Sequence, residues 1–238
     1  MNDQRLLRRL AEGQEARLSP VERARASELR DALSRALLAD QHLRARELAG
    51  RAVTQDLPPH HDWTWRPAAW RAPARPSAWP ATGPATDLAK GLRLFHDCPL
   101  GEVSARQVRS DAPPYALVVE VFAFQGSYLS VAFDLPTAGS AGLRRRHVLR
   151  MDLRLTLERP SDVFARLNVG HGSTTAQIVR TLPTEANEVA FIDFDLAGLK
   201  IDLAQAERIW IDLIFDSPAA NSLKISDVLL SRTPRAEA

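Results

Sequence analysis

The sequence predicts a mainly β protein, an antiparallel β-sandwich of the jelly-roll type preceded by an N-terminal α-helical hairpin. Three observations carry that prediction. The first fifty or so residues are rich in Ala, Leu, Arg and Glu and almost free of Gly and Pro, the composition of good helix formers. From about residue 90 the apolar period changes from helical to two. Roughly ten short alternating runs then follow with little helix between them, which fits a sandwich rather than a parallel α/β sheet.

The helical part has its own signals. Ser19, Pro20 and Glu22 form a helix start: the Ser19 hydroxyl can accept a first-turn N–H, proline suits the first helical position, and Glu22 completes a capping box. Leu29, Leu33, Leu37, Leu43 and Leu48 recur near helical spacing and give one apolar stripe. A shorter helix over residues 5–18 completes the hairpin. Its arginines are interleaved with Glu12, Glu15, Glu22, Glu28 and Asp31, so they read first as a solvated face. The functional alternative is peripheral contact of residues 1–55 with an anionic membrane or a partner.

Residues 57–84 hold four of the five tryptophans and seven of the 16 prolines. So many prolines forbid a continuous helix or a central strand. The tryptophans are too many for a free linker, because each would leave a large apolar surface in water. An extended strap is expected, laid against the folded body with Trp63, Trp65, Trp70 and Trp79 as anchors. The expected organisation is therefore a helical hairpin over 1–55, a strap over 56–89 and a sandwich over 90–235.

Strand candidates in the sandwich are residues 92–96, 103–108, 116–124, 127–135, 147–158, 163–169, 175–182, 188–196, 207–216 and 223–231. Met151, Leu153, Leu155 and Leu157 alternate with Arg150, Asp152, Arg154 and Thr156, and Ile209, Ile211, Leu213 and Phe215 with Trp210, Asp212, Ile214 and Asp216. One-faced alternation marks antiparallel sheets with one side on the core. Gln125 and Gly126 read as a tight hairpin turn between two apolar strands. The apolar phase slips between Ile225 and Val228, which predicts a bulge at Ser226 and Asp227.

Composition bounds the function. The chain has 238 residues and a single cysteine, which excludes an internal disulfide framework and any thiolate cluster. Basic and acidic residues nearly balance, 31 against 29, with the basic excess in the first ninety residues and an acidic excess after them. Only Lys90, Lys200 and Lys224 are lysines, so a pI near 9.0 reflects an arginine bias and is poor support for a nucleic-acid partner. Neither a signal peptide nor a run of about 18 apolar residues is seen, and a cytoplasmic protein is expected. Glycine-rich phosphate loops, the G-x-S-x-G elbow and H-E-x-x-H are missing, and no cofactor is expected.

Weaker constellations remain. His96 and Cys98 place a thiol near an imidazole, which a nucleophilic pair would need, but a lone cysteine more often acts as a small hydrophobe. His60, His61 and Asp62 could hold a metal but read better as a polar turn. Arg144, Arg145 and Arg146 form a basic loop whose plain reading is a solvated turn. The candidate binding residues are Arg166, Asn168, His171, Gln177, Trp210 and Asp212. Amide, guanidinium and carboxylate groups beside an aromatic plane suit a sugar, whose hydroxyls want paired polar partners and whose ring face wants stacking. The competing reading is a solvated sheet face crossed by ion pairs.

Residues 60–73, 92–98, 127–136, 142–153, 164–182 and 210–232 together resemble an uncharacterised family of alphaproteobacterial proteins, a domain-of-unknown-function family typical of Rhodobacterales. That resemblance implies no activity, cofactor or catalytic residue. The ending, WIDLIFD followed by a turn and ISDVLLSR, is similar at the level of fold to the closing strands of jelly-roll carbohydrate-binding modules. The leading expectation is a non-catalytic binding module whose sandwich face recognises a glycan or a protein surface. The alternatives are a structural protein docking through its basic helices, and a carbohydrate-active enzyme using Asp193, Asp212 or Asp216.

Overall fold

A computed structural model describes residues 18–52, 57–99, 102–111, 113–182 and 189–235. The chain divides into two compact units, residues 1–44 and 45–238. The expected first helix of the hairpin, over 5–18, lies almost wholly outside the described residues.

Helix α1 (Pro20–Ala52) begins where the capping box places it. The Ser19 backbone N–H donates to Glu22 Oε2 at 2.9 Å, and the Glu22 N–H donates to Ser19 Oγ at 3.3 Å. Two otherwise orphaned donors are thus satisfied reciprocally. Of the expected stripe, Leu29 is half-buried while Leu33 and Leu37 are exposed. No described helix is long and apolar enough to cross a membrane.

The larger unit is built of β1 (Trp63–Trp65), α2 (Ala68–Arg71), β2 (Ala78–Trp79), β3 (Ala85–Ala89), β4 (Leu92–His96), β5 (Val103–Arg109), β6 (Tyr115–Val121), β7 (Tyr128–Asp134), α3 (Thr137–Ser140), β8 (His147–Leu157), β9 (Val163–His171), β10 (Thr174–Thr181), β11 (Val189–Asp195), β12 (Arg208–Asp216) and β13 (Asn221–Pro234). Two antiparallel sheets form the sandwich. The first runs β11-β8-β13-β6-β5-β2, with β1 also on β13, and the second runs β10-β9-β12-β7-β4-β3. The core between them is apolar. Ile209, Ile211, Leu213 and Phe215 of β12 face Met151, Leu153 and Phe194 of the opposite sheet across it, and each is at most 2 % exposed. The expected bulge is present, as the β13–β8 register shifts between Ile225 and Asp227.

The strap is woven into both sheets. Its strands pair β1 with β13, β2 with β5 and β3 with β4. Trp70 is fully buried, donates its indole N–H to the Ile225 carbonyl at 3.1 Å and packs 5.8 Å from the Phe133 ring. Trp79 is also buried, while Trp63 and Trp65 are half-buried and stacked on each other. Arg66 clamps the bulge, giving both carboxylate oxygens of Asp227 a hydrogen bond at 2.7 and 2.9 Å.

The hairpin expected at Gln125 and Gly126 is not one. Strands β6 and β7 belong to different sheets, so residues 122–127 cross the sandwich. The crossing is held by Asp97, whose carboxylate accepts from the Ser127 and Tyr128 backbone N–H groups and from the Ser127 hydroxyl at 2.6–3.1 Å. These bonds favour the ionised form and hold the Asp97 carboxyl down at about 2.

Candidate functional site

The outer face of the second sheet carries the site. Side chains on this face line up in rows across the strands, because residues directly opposite in an antiparallel pair share a face. One row is Phe95, Ser130 and Ile214, and the next is Arg93, Ala132, Asp212 and Arg166. A third is Asp134, Trp210, Asn168 and Gln177. Ser130 and Ala132 on β7 are small and flanked by longer side chains on β4 and β12. The middle of the sheet is therefore sunken, and an open groove of about 670 Å³ results, lined also by Tyr128, Thr175 and Arg208.

A connected set of polar groups holds the groove's shape. Asp212 accepts from Arg166 Nε and Nη2 at 3.1 and 2.8 Å and from Asn168 Nδ2 at 2.9 Å, all on one carboxylate oxygen. Asn168 Oδ1 in turn accepts from Gln177 Nε2 at 2.9 Å. Asn168 is 0 % and Asp212 5 % exposed, unusual burial for polar groups on the solvent side of a sheet. A chain of bonds running from β10 through β9 to β12 fixes every member's orientation. Arg208 Nε donates to Asp134 at 2.9 Å, and its guanidinium sits 4.4 Å over the Trp210 ring. The indole reaches towards β9, where a Cβ at Gly170 would stand in ordinary van der Waals contact with the ring, at 3.7 Å. Ser130 is 5 % exposed, and its hydroxyl has no hydrogen-bond partner among the described residues.

Five of the six residues singled out in the sequence therefore meet in one groove: Arg166, Asn168, Gln177, Trp210 and Asp212. His171, at the end of β9, stands outside its lining, with Nε2 3.3 Å from Gln205 Oε1. Arg93, Phe95, Tyr128, Ser130 and Arg208 are groove residues the sequence reading missed. Arg208 was within its reach, being two residues before Trp210 on the same strand face.

The other constellations take structural positions. His96 is buried, its Nδ1 accepts from the Cys98 backbone N–H at 3.3 Å and its Nε2 faces Thr82 Oγ1 and O at 3.2 Å. The imidazole is thus occupied by backbone and Thr82, while the Cys98 thiol points at the Ala123 carbonyl 3.9 Å away. Asp62 pairs with Arg232 at 2.7 Å, and His61 Nδ1 meets the Pro58 carbonyl. No group of three His, Cys, Asp or Glu able to hold a metal occurs among the described residues. Arg145 of the basic loop donates to the Ala197 carbonyl. Asp193 is held by Arg150 through two bonds of 2.8 Å on the first sheet, whereas Asp212 and Asp216 are on the second.

Comparison with solved structures finds matches at low identity. The family 11 carbohydrate-binding module from Clostridium thermocellum, in complex with a β-1,3-1,4-mixed-linked tetrasaccharide, is 10% identical over 65% of this chain and 96% of that one, with a TM-score of 0.38. The CBM22-1 xylan-binding domain of Xyn10C from Paenibacillus barcinonensis is 10% identical over 60% and 87%, with a TM-score of 0.38. The enzymatically active domain of tailspike protein 4 of bacteriophage CBA120 is 10% identical over 58% of this chain, with a TM-score of 0.42, and the match spans 19% of that protein's length. A comparison with curated proteins gives no match. Residues 3–238 match the profile of the family of unknown function DUF6478, and the chain belongs to that family.

Proposed function

We propose that this chain is a non-catalytic binding module that takes a carbohydrate in the groove on the outer face of the second sheet. The observation that carries the reading is the burial of Asn168 and Asp212, bonded to each other, to Arg166 and to Gln177, on a face that opens to solvent beside Trp210. An ordinary solvated sheet face has no reason to desolvate an amide and a carboxylate, because each costs free energy unless its partners are held in place. Groups held in place are what recognition of hydroxyls requires, since pre-ordered donors and acceptors lose little entropy on binding. Aromatic surface from Trp210, Tyr128 and Phe95 lies within the same lining and suits the apolar face of a pyranose ring.

The test is a glycan array probed with the full chain and with Trp210→Ala and Gln177→Ala variants. The reading expects retention on at least one saccharide class and a loss of about tenfold or more in both variants, each of which removes one stacking or hydrogen-bonding contact. Binding that survives both substitutions unchanged would place the ligand elsewhere and refute the assignment.

A further inference from the structure

We infer that the saccharide taken by this groove is anionic, carrying a carboxylate or a sulfate, and that Arg93 reads its charge. The inference rests on the carbohydrate reading above and narrows it to one ligand class.

Three guanidinium groups line the groove, those of Arg93, Arg166 and Arg208. Two of them are committed. Arg166 closes on Asp212, with both contacting nitrogens on the same oxygen, and Arg208 closes on Asp134. Arg93 is the third. Its Nη2 stands 3.7 Å from Asp134 Oδ2, beyond hydrogen-bond length, and that carboxylate is already engaged by Arg208. Asp87, opposite Arg93 across the β3–β4 pair, forms no ion pair with it. No hydrogen bond holds the Arg93 guanidinium among the described residues. It lies 5.3 Å from the centroid of the Phe95 ring, with one third of its side chain exposed.

The surroundings make this donor group available to a ligand. Arg93 shares its row with Ala132, whose methyl leaves space between the Arg93 and Asp212 side chains. The one carboxylate in that row, Asp212, is buried and takes its three donors on a single oxygen, Oδ2. An entering anion therefore meets in Arg93 a guanidinium whose N–H groups make no hydrogen bond among the described residues, held only by the 3.7 Å ion pair with Asp134 and the contact with the Phe95 ring. A guanidinium presents parallel N–H groups matched to the two oxygens of a carboxylate or sulfate, and such charge-assisted pairs are about twice as strong as neutral hydrogen bonds. A neutral saccharide would use only part of that capacity.

The test is isothermal titration of the full chain with three probes: a tetragalacturonate, a sulfated carrageenan tetrasaccharide and neutral cellotetraose, each at low and at physiological salt. At least one acidic probe is expected to bind about tenfold more tightly than cellotetraose, with a preference that shrinks as salt rises. The carboxylate and sulfate arms separate the two sources of charge. Arg93→Gln is expected to remove most of that preference, and Arg93→Lys, which keeps the charge without the fork, to retain part of it. Arg109→Gln, at an exposed position on the opposite sheet, is the control for general attraction to a basic chain and is expected to change nothing. Equal or tighter binding of cellotetraose overturns the inference and leaves the carbohydrate reading standing. An Arg109→Gln effect as large as that of Arg93→Gln overturns it as well. Failure of all three probes, together with a silent glycan array, removes both.

Discussion

Replacing Asp212 with alanine takes away the acceptor on which the groove's polar chain converges. Three hydrogen bonds end at once, those from Arg166 Nε, Arg166 Nη2 and Asn168 Nδ2, and of these donors Asn168 Nδ2 keeps the Arg166 carbonyl at 3.0 Å. The Asp212 side chain is 8 % exposed and that of Arg166 37 %, so the pair lies between the fully buried and the fully solvated cases. Breaking a buried pair by removing one partner costs about 3–5 kcal/mol and an exposed pair about 0–1, which puts this one at roughly 2 kcal/mol. For a folded unit of this size that corresponds to a fall in Tm of roughly 4–8 °C. Asp212→Asn keeps the shape and one acceptor oxygen, so its cost is expected to be about half. Asp193→Ala, which breaks the more exposed bidentate pair with Arg150, serves as a reference and is expected to cost under about 1 kcal/mol. Urea denaturation followed by near-ultraviolet circular dichroism measures all three. A cost for Asp212→Ala no larger than that for Asp193→Ala would mean that the groove's polar chain is not pre-organised, and the argument from its burial would fail.

Three further outcomes follow from the geometry. Gly126→Ala is expected to destabilise the fold by more than 1 kcal/mol, since a Cβ there would come within 2.3 Å of Asp97 Oδ1 and 2.8 Å of the Cys98 amide nitrogen; an unchanged melting temperature would contradict the crossing described for residues 122–127. Asp97 titrates at about 2 in the fold against an ordinary 3.8, so the stability it contributes is complete above about pH 4 and lost as the pH falls towards 2. Acid titration of the wild type against Asp97→Asn should show the difference between them vanish over that window. Ser130→Ala is expected to leave stability equal or higher, because it removes a buried hydroxyl that has no partner among the described residues; a loss above about 1 kcal/mol would show that the hydroxyl is bonded after all.

The strands after residue 90 were legible because most have one buried and one solvated face, and a period of two survives in the sequence wherever that is so. Strands β1, β2 and β3 were not, because they are two to five residues long and set among prolines that mark the segment as extended without saying what it pairs with. The crossing at residues 122–127 was invisible for a different reason. Its determinant is Asp97, some thirty residues away, and no local turn signal separates a hairpin from a passage between sheets.

The same division explains the site. Arg166, Asn168, Trp210 and Asp212 lie on strands with clean alternation, so their common face could be read directly. Ser130 and Ala132 sit in a run where Leu129, Val131 and Phe133 are buried on one side and they themselves on the other, so the alternation disappears. Arg93 and Phe95 join the groove only through the order β12-β7-β4, which is a non-local property of the sheet.

The most direct test of a saccharide in this groove is the set of tryptophan indole N–H resonances in a two-dimensional NMR spectrum of the full chain, followed during titration with the tightest-binding oligosaccharide. The signal assigned to Trp210 by its loss in Trp210→Phe should move with the titration, while that of Trp70, buried and bonded to the Ile225 carbonyl, should stay fixed. A stationary Trp210 signal at saturation, with shifts confined to tryptophans of the strap, would contradict the account.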